Sequence, residues 1–233
     1  MIPDRDFFAV QRQFAERWAA IASVPIEDAY LECTTWYHQA ADLGRDFDPN
    51  HPDWQRLLAE VTAAPDPDAV VHAWARANEK PVAPGPVLDF TWSAEDREVR
   101  LIFYGERSMV GNPLGDDQLP ERQAELRDLV RRATAEHPDA VWLRGKSWLY
   151  GLASYRRIFP LVFLDGLAEE PPETQFFAIW GQLLDRRWRT RPDVAAELLA
   201  RAGASSTIAE LEAAFPIAMR LTRVPLADVV AAI

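Results

Sequence analysis

Cysteine, lysine and long apolar runs are all scarce in this chain of 233 residues. Cys33 is the only cysteine, so no intrachain disulfide can staple the fold. One cysteine and four scattered histidines cannot assemble a zinc site of the usual ligand spacing. The longest apolar runs, such as Phe176–Trp180, fall far short of the roughly 20 residues a membrane helix requires. The opening residues, Met1-Ile-Pro-Asp-Arg-Asp6, lack the basic and apolar regions of a signal peptide. Also missing are a G-x-S-x-G elbow, a phosphate loop of the Walker type and an H-E-x-x-H pair. These absences lead to the expectation of a cytoplasmic protein with no membrane partner and no resident metal.

What the sequence does contain is an ordinary globular composition, 48% hydrophobic and 26% charged, sufficient for a sizeable core. Acidic side chains outnumber basic ones 36 to 25, for a formal net charge of −11. That balance argues against binding nucleic acid, because phosphate attraction needs a positive field. Only Lys80 and Lys146 are lysines; every other base is arginine. Arg186, Arg187, Arg189 and Arg191 bracket Trp188, and Arg156-Arg157 form a second pair. Such clusters read as solvated, ion-paired faces or as anion sites, since a guanidinium fork suits phosphate and carboxylate.

The pattern changes character near residue 85. Phe7, Val10, Phe14, Trp18 and Ile21 recur at helical intervals, as do Tyr30, Cys33 and Tyr37, then Trp54, Leu57, Leu58 and Val61, then Val70, Ala73, Trp74 and Ala77. Four amphipathic stripes of this kind predict a helical subdomain over residues 1–80. The proline-rich stretch Lys80–Pro86 breaks both helix and central strand. Residues 87–233 then read as an α/β domain with C-terminal helices. Val87–Trp92 and Val99–Tyr104 alternate around a polar turn, predicting a β-hairpin. A loop, Gly105–Leu119, precedes a helix that turns Leu126, Leu129, Val130 and Ala133 inward. Val141–Tyr150 is a third strand, Ser154–Phe159 a short helix and Thr174–Trp180 a fourth strand, with a helix as its alternative. Asp193–Ala202 and a capping box at Thr207–Glu210 open the closing helices. The fold class is therefore α+β, or α/β: a helical N-terminal part followed by a mixed, largely antiparallel sheet of about four to six strands with flanking helices.

Two places could carry chemistry. The densest is Arg144-Gly-Lys-Ser-Trp-Leu-Tyr150, followed by Tyr155-Arg-Arg-Ile-Phe-Pro160. On one continuous strand Arg144, Lys146, Trp148 and Tyr150 share a face, and two cations with two aromatics are costly to bury unpaired. The face thus lines a polar cleft or forms a packing seam whose long side chains reach solvent. Arg144, Lys146, Ser147, Trp148, Tyr155 and Arg156 are candidate ligand contacts, and Tyr150 is a candidate acid. The second place is Gly111-Asn112-Pro-Leu-Gly115, a glycine loop between strand and helix. That order resembles a phosphate turn, although Pro113 removes one donor and Asp116-Asp117 would repel an anion; an ordered turn and helix cap is the favoured reading. His38, after Trp36-Tyr37, is a candidate general base if its helix lines a pocket.

Phe47-Asp-Pro-Asn-His-Pro-Asp-Trp54, Asn112-Pro-Leu-Gly115 and Ser147-Trp-Leu-Tyr150 with Tyr155-Arg-Arg-Ile-Phe-Pro160 resemble a bacterial family of uncharacterised proteins that reads S-W-L-Y-N with a downstream Y-R-R-L-F-P. Gly151 stands where that family has asparagine. The resemblance spans residues 45 to 165 and implies a shared fold without an activity. The order helical region, hairpin, loop, helix, strand, helix, strand is also similar to the GNAT-like acyltransferase core. In that core an [RQ]-x-x-G-x-[GA] loop binds the acyl-CoA pyrophosphate; Arg107-Ser-Met-Val-Gly-Asn-Pro113 is one residue too long, and proline replaces the last small residue. The similarity implies acyl or related group transfer to a small polar acceptor, acyl-CoA as cofactor and a cleft between helical cap and sheet. The alternative is a non-catalytic protein that binds a small anionic or acyl ligand or a protein partner.

Overall fold

The computed structural model describes residues 2–40, 48–79, 81–108, 112–175 and 177–233. Helices α1 (Arg5–Ala22), α2 (Ile26–Cys33), α3 (Trp36–Ala40), α4 (Pro52–Ala63) and α5 (Pro67–Ala77) come first. Strands β1 (Leu88–Ser93) and β2 (Glu98–Phe103), helix α6 (Leu119–Glu136) and strand β3 (Trp142–Ser147) follow. Short helices α7 (Ala153–Arg156) and α8 (Leu161–Leu164) lead to strand β4 (Ala168–Glu170). Helices α9 (Phe177–Trp180), α10 (Pro192–Ala204) and α11 (Ile208–Glu212), strand β5 (Met219–Pro225) and helix α12 (Leu226–Ala232) complete the chain. The α+β class read from the sequence is the one observed. Among the described residues, no helix is long and apolar enough to cross a membrane.

Two compact units share the chain. One takes Met1–Pro81 and Pro171–Ile217, the other Val82–Glu170 and Ala218–Ile233. The first break falls in the proline-rich stretch. Downstream the division differs from a single 87–233 domain, because α10 and α11 pack against α1.

The helical unit is built on α1, whose inward face carries Phe7, Phe8, Val10, Gln11, Phe14 and Ala15. Asp4 caps this helix by accepting the Phe7 N–H, which satisfies one of the free amides of the first turn. Its carboxylate also accepts the Thr190 backbone N–H at 2.9 Å and the Thr190 hydroxyl at 2.5 Å. Phe14 and Phe215 pack against Trp180, with ring centroids 5.4 and 5.0 Å away. This packing corrects the strand expected over Thr174–Trp180. The segment ends as helix α9, and the buried Trp180 indole donates back to the Thr174 carbonyl at 2.7 Å. An apolar run of this length suits a buried strand or a buried helix equally well, and here contact with α1 decides.

In the other unit the sheet order is β1-β2-β3-β5-β4. Only β2 and β3 run parallel, and α6 makes the crossover between them. The remaining pairs are antiparallel. Leu126, Leu129, Val130 and Ala133 of α6 are buried as their spacing predicts. They join Leu88, Val99, Leu143 and Val224 of the sheet with Tyr150, Tyr155, Phe159, Phe163 and Val229 in one core. All of these sheet residues lie on one face, so α6, α7, α8 and α12 cover that face. Strand β5 interrupts the closing helices expected from the sequence; Thr222 and Val224, two residues apart, are its buried core-face positions, and Met219 is buried at its start.

Candidate functional site

The segment Trp142-Leu-Arg-Gly-Lys-Ser147 alternates because Leu143 and Gly145 face the core while Arg144 and Lys146 face away. The strand is shorter than the expected Val141–Tyr150. Ser147 Oγ accepts the Leu149 N–H at 3.1 Å and starts a 3-10 turn over Trp148–Gly151. A serine able to accept its second neighbour's amide competes with the ladder. The consequence is a correction: Trp148 and Tyr150 do not extend the Arg144–Lys146 face.

Tyr150 returns into the core, 1% exposed, with Tyr155 beside it at 2%. Their rings are 5.0 Å apart and their hydroxyls hydrogen-bond. Burial pushes both phenols well above the ordinary tyrosine range, since a phenolate has no water there to solvate it. Glycine at 145 is what admits the Tyr150 hydroxyl. A β-carbon at that position would overlap the hydroxyl oxygen and come within 2.9 Å of Phe163 Cζ. Tyr155 packs on Phe103 at 5.3 Å and on Phe159 at 5.1 Å. The S-W-L-Y and Y-R-R-I-F-P blocks thus supply a turn and an aromatic core. Arg156 between them is exposed.

The opposite face of the sheet, which no described helix of this unit covers, carries the charge. Arg100, Arg144 and Arg223 stand side by side across β2, β3 and β5, because Arg100 pairs with Arg144 and Arg144 with Arg223 in the register. Glu98 lies beneath them, with a side chain only 4% exposed. Its Oε1 accepts Arg100 Nε at 2.8 Å and meets Arg144 Nη1 at 3.5 Å; its Oε2 meets Arg223 Nε at 2.9 Å. A carboxylate this buried is tolerated only when paired, and three guanidiniums provide the pairing. The Glu98 hydrogen bond is the main influence raising the Arg100 pKa. Arg223 also lies over the Trp142 ring, 4.6 Å from its centroid. Sequence reasoning found Arg144 and missed Glu98, Arg100 and Arg223. Arg100 lies on the expected strand Val99–Tyr104 with Glu98 directly before it, so alternation alone sets both on one face; Arg223 joins them only through the β3–β5 register.

Between β2 and β3 the sheet forks. The parallel ladder holds for Glu98, Val99 and Arg100 against Trp142, Leu143 and Arg144. Leu101–Phe103 continue along β1 and Gly145–Ser147 along β5, but no pairs join the two strands beyond Arg100–Arg144. The carboxyl ends of adjacent parallel strands therefore part, and each presents an edge of backbone groups that no described strand pairs. The residues of these two ends, Leu101, Ile102, Phe103, Lys146, Ser147 and Trp148, are half-buried, and Leu101 and Phe103 pack on the core. In open α/β sheets the crevice outside the carboxyl ends of parallel strands is where ligands collect.

The loop leaving β2 is partly described. Gly111 lies outside the described residues. Asn112 makes the expected turn: its side-chain oxygen accepts the Leu114 N–H and its carbonyl the Gly115 N–H. The expected cap is absent, since Asp116 and Asp117 sit in a short 3-10 turn and make no cap hydrogen bond to α6. Asp116 instead pairs with Arg157 at 2.5 Å, tying this loop to the segment that follows β3. Arg107 of the acyltransferase-like pattern is engaged locally. It donates to the Pro86 carbonyl and to Asp89 at 3.2 Å each and stacks 3.6 Å from the Tyr104 ring centroid.

Lys146, Ser147, Trp148 and Asn112 thus belong to the two segments that end the parallel strands, and Arg144 belongs to the charged row. His38 is half-buried on α3 of the helical unit, edge-on to Tyr37 at 6.0 Å. Among the described residues, no three histidine, cysteine or carboxylate side chains are grouped to hold a metal ion. Comparison with protein-family profiles, curated proteins and solved structures finds no match for this chain.

Proposed function

We propose that this protein is a transferase that takes an acyl thioester into the β2–β3 fork and passes its acyl group to a small polar acceptor. The observation that carries the reading is the fork itself. Two parallel strands pair over three residues and then part, leaving backbone donors and acceptors that no described strand pairs. An extended thioester arm needs amides of this kind along its length. The element order hairpin, loop, helix, strand, helix, strand supports the similarity to the GNAT-like core on which the reading also draws. In the transfer the acceptor's amine nitrogen attacks the thioester carbonyl, a C–N bond forms and the C–S bond breaks; the leaving thiolate takes a proton from Tyr150, and the proton the amine loses restores the phenol. Tyr150 is the proton donor this reading assigns to the leaving sulfur. Its hydroxyl abuts Gly145, the first residue of β3 past the fork, and its raised pKa keeps the proton in place.

Calorimetric titration with acetyl-CoA and with free CoA tests binding. Saturable heat is expected from both, weakened in Lys146→Ala and in Trp148→Ala; no heat at millimolar ligand overturns the proposal. A second reading, binding without turnover, is favoured by the 1% exposure of Tyr150. It predicts heat with acetyl-CoA but no release of CoA thiol when amines are added. The transferase reading predicts release that slows in Tyr150→Phe while binding persists.

A further inference from the structure

We infer that the row of arginines beside the fork is a carboxylate site, and that the acceptor of the proposed transfer is a carboxylate-bearing amine. The site stands on geometry alone; its assignment to the acceptor rests on the transferase reading. The three guanidiniums are not equally satisfied. Arg100 has two carboxylates, Glu98 through Nε and Asp96 through Nη2 at 2.6 Å. Arg144 and Arg223 share what remains of one. Arg144 reaches Glu98 by a single 3.5 Å contact and Arg223 by its Nε alone. A guanidinium carries five N–H donors, so the outer edges of both forks remain for another acceptor. Both side chains are accessible, 29% and 44% exposed respectively.

Size and shape select the ligand. The row is one residue deep along the strands. Its flanking pairs are Trp142 with Pro225 on one side and Lys146 with Leu221 on the other. An anion seated on Arg144 and Arg223 is therefore bounded by Trp142 and Pro225 two residues along the strands on one side, and two guanidinium forks side by side fit one planar carboxylate held bidentately. Location does the rest. Arg144 belongs to the last pair of the β2–β3 ladder, so the site stands at the vertex of the fork, with Arg223 one strand further, about 4.8 Å away. An acceptor anchored there presents its amine to the opening that would hold the thioester.

The probe is succinate, added to wild-type protein labelled with 15N-arginine. The Nε–Hε resonances of Arg144 and Arg223, assigned from Arg144→Gln and Arg223→Gln, should shift saturably, and each substitution should weaken succinate binding about tenfold or more. Arg131→Gln, exposed on α6, should leave it unchanged. If the two resonances stay fixed, or move equally with chloride at matched ionic strength, the site does not exist; because this readout is on the wild type, a poorly folding variant does not blunt it. Acetyl transfer from acetyl-CoA to glutamate, compared with transfer to its diamide, then separates the two ideas. Preference for glutamate that vanishes in Arg223→Gln supports the inference. Equal transfer to both acceptors overturns it and leaves the transferase reading intact. Succinate binding without any acetyl-CoA binding keeps the carboxylate site and overturns the transferase reading.

Discussion

The Tyr150 hydroxyl occupies the space where a β-carbon on Gly145 would stand. The glycine is therefore a packing requirement of the aromatic core, and the tyrosine's depth is set by a residue five positions earlier. Gly145→Ala should destabilise the sheet unit by about 2–3 kcal/mol through overpacking. Urea denaturation checks this. In a Tyr150→Phe background the penalty should shrink without vanishing, because Tyr150 Cζ and Phe163 Cζ would still lie 2.9 Å from the new methyl. Full additivity of the two substitutions would show that the hydroxyl does not rest on that glycine.

Asp89 gives a pH signature. Partial burial would raise its pKa, but hydrogen bonds from Arg132, from the Phe90 amide and from Arg107 outweigh burial and hold it below the usual carboxylate range. A depressed native pKa contributes stability above the unfolded value, about 3.9, and that contribution disappears as pH falls through the native value. Asp89→Asn should therefore cost about 1 kcal/mol at pH 7, a figure that allows for the solvent reaching this half-buried group. The difference from wild type should narrow below about pH 4. Urea midpoints at pH 7, 5 and 3 provide the measurement; a gap that stays constant with pH would contradict the assignment.

Asp4 has two partners in the helical unit, the first turn of α1 and Thr190. Asp4→Ala should remove both the cap and the tether, at about 1–3 kcal/mol. Asp4→Asn, which can still cap, should recover part of the loss. Faster amide exchange at Phe7 and at Thr190 in the alanine variant would locate the effect at these two sites. Loss confined to Phe7 would mean that the tether is dispensable.

How much of this was legible in the sequence depended on how many neighbours each residue needed. Helices α1, α4, α5 and α6 and the β1–β2 hairpin follow from local periodicity, because one buried face at a fixed interval leaves a readable stripe. The capping box at Thr207 formed as written, being entirely local. Strand β3 was read too long, because Trp148 and Tyr150 keep the alternation while Ser147 breaks the ladder with a hydrogen bond two residues on. The extended form of β5 leaves little local trace, because only Thr222 and Val224 mark its core face; pairing with β3, more than seventy residues earlier, decides. The same gap hid the charged row. Arg144 is conspicuous in the sequence, but its neighbours Arg100 and Arg223 join it only through the register of two ladders.

The late position of β5 has a consequence for biosynthesis. This strand lies between β3 and β4, so a nascent chain that has emerged only as far as residue 217 holds β3 with one open side and β4 with no mate. The helical segments from residue 171 to 217 can meet α1 during that interval, whereas the sheet must wait for its inner strand. A ribosome-stalled series of increasing length should show the helical unit acquiring protease resistance first, and the sheet unit only once Met219–Pro225 has cleared the exit tunnel.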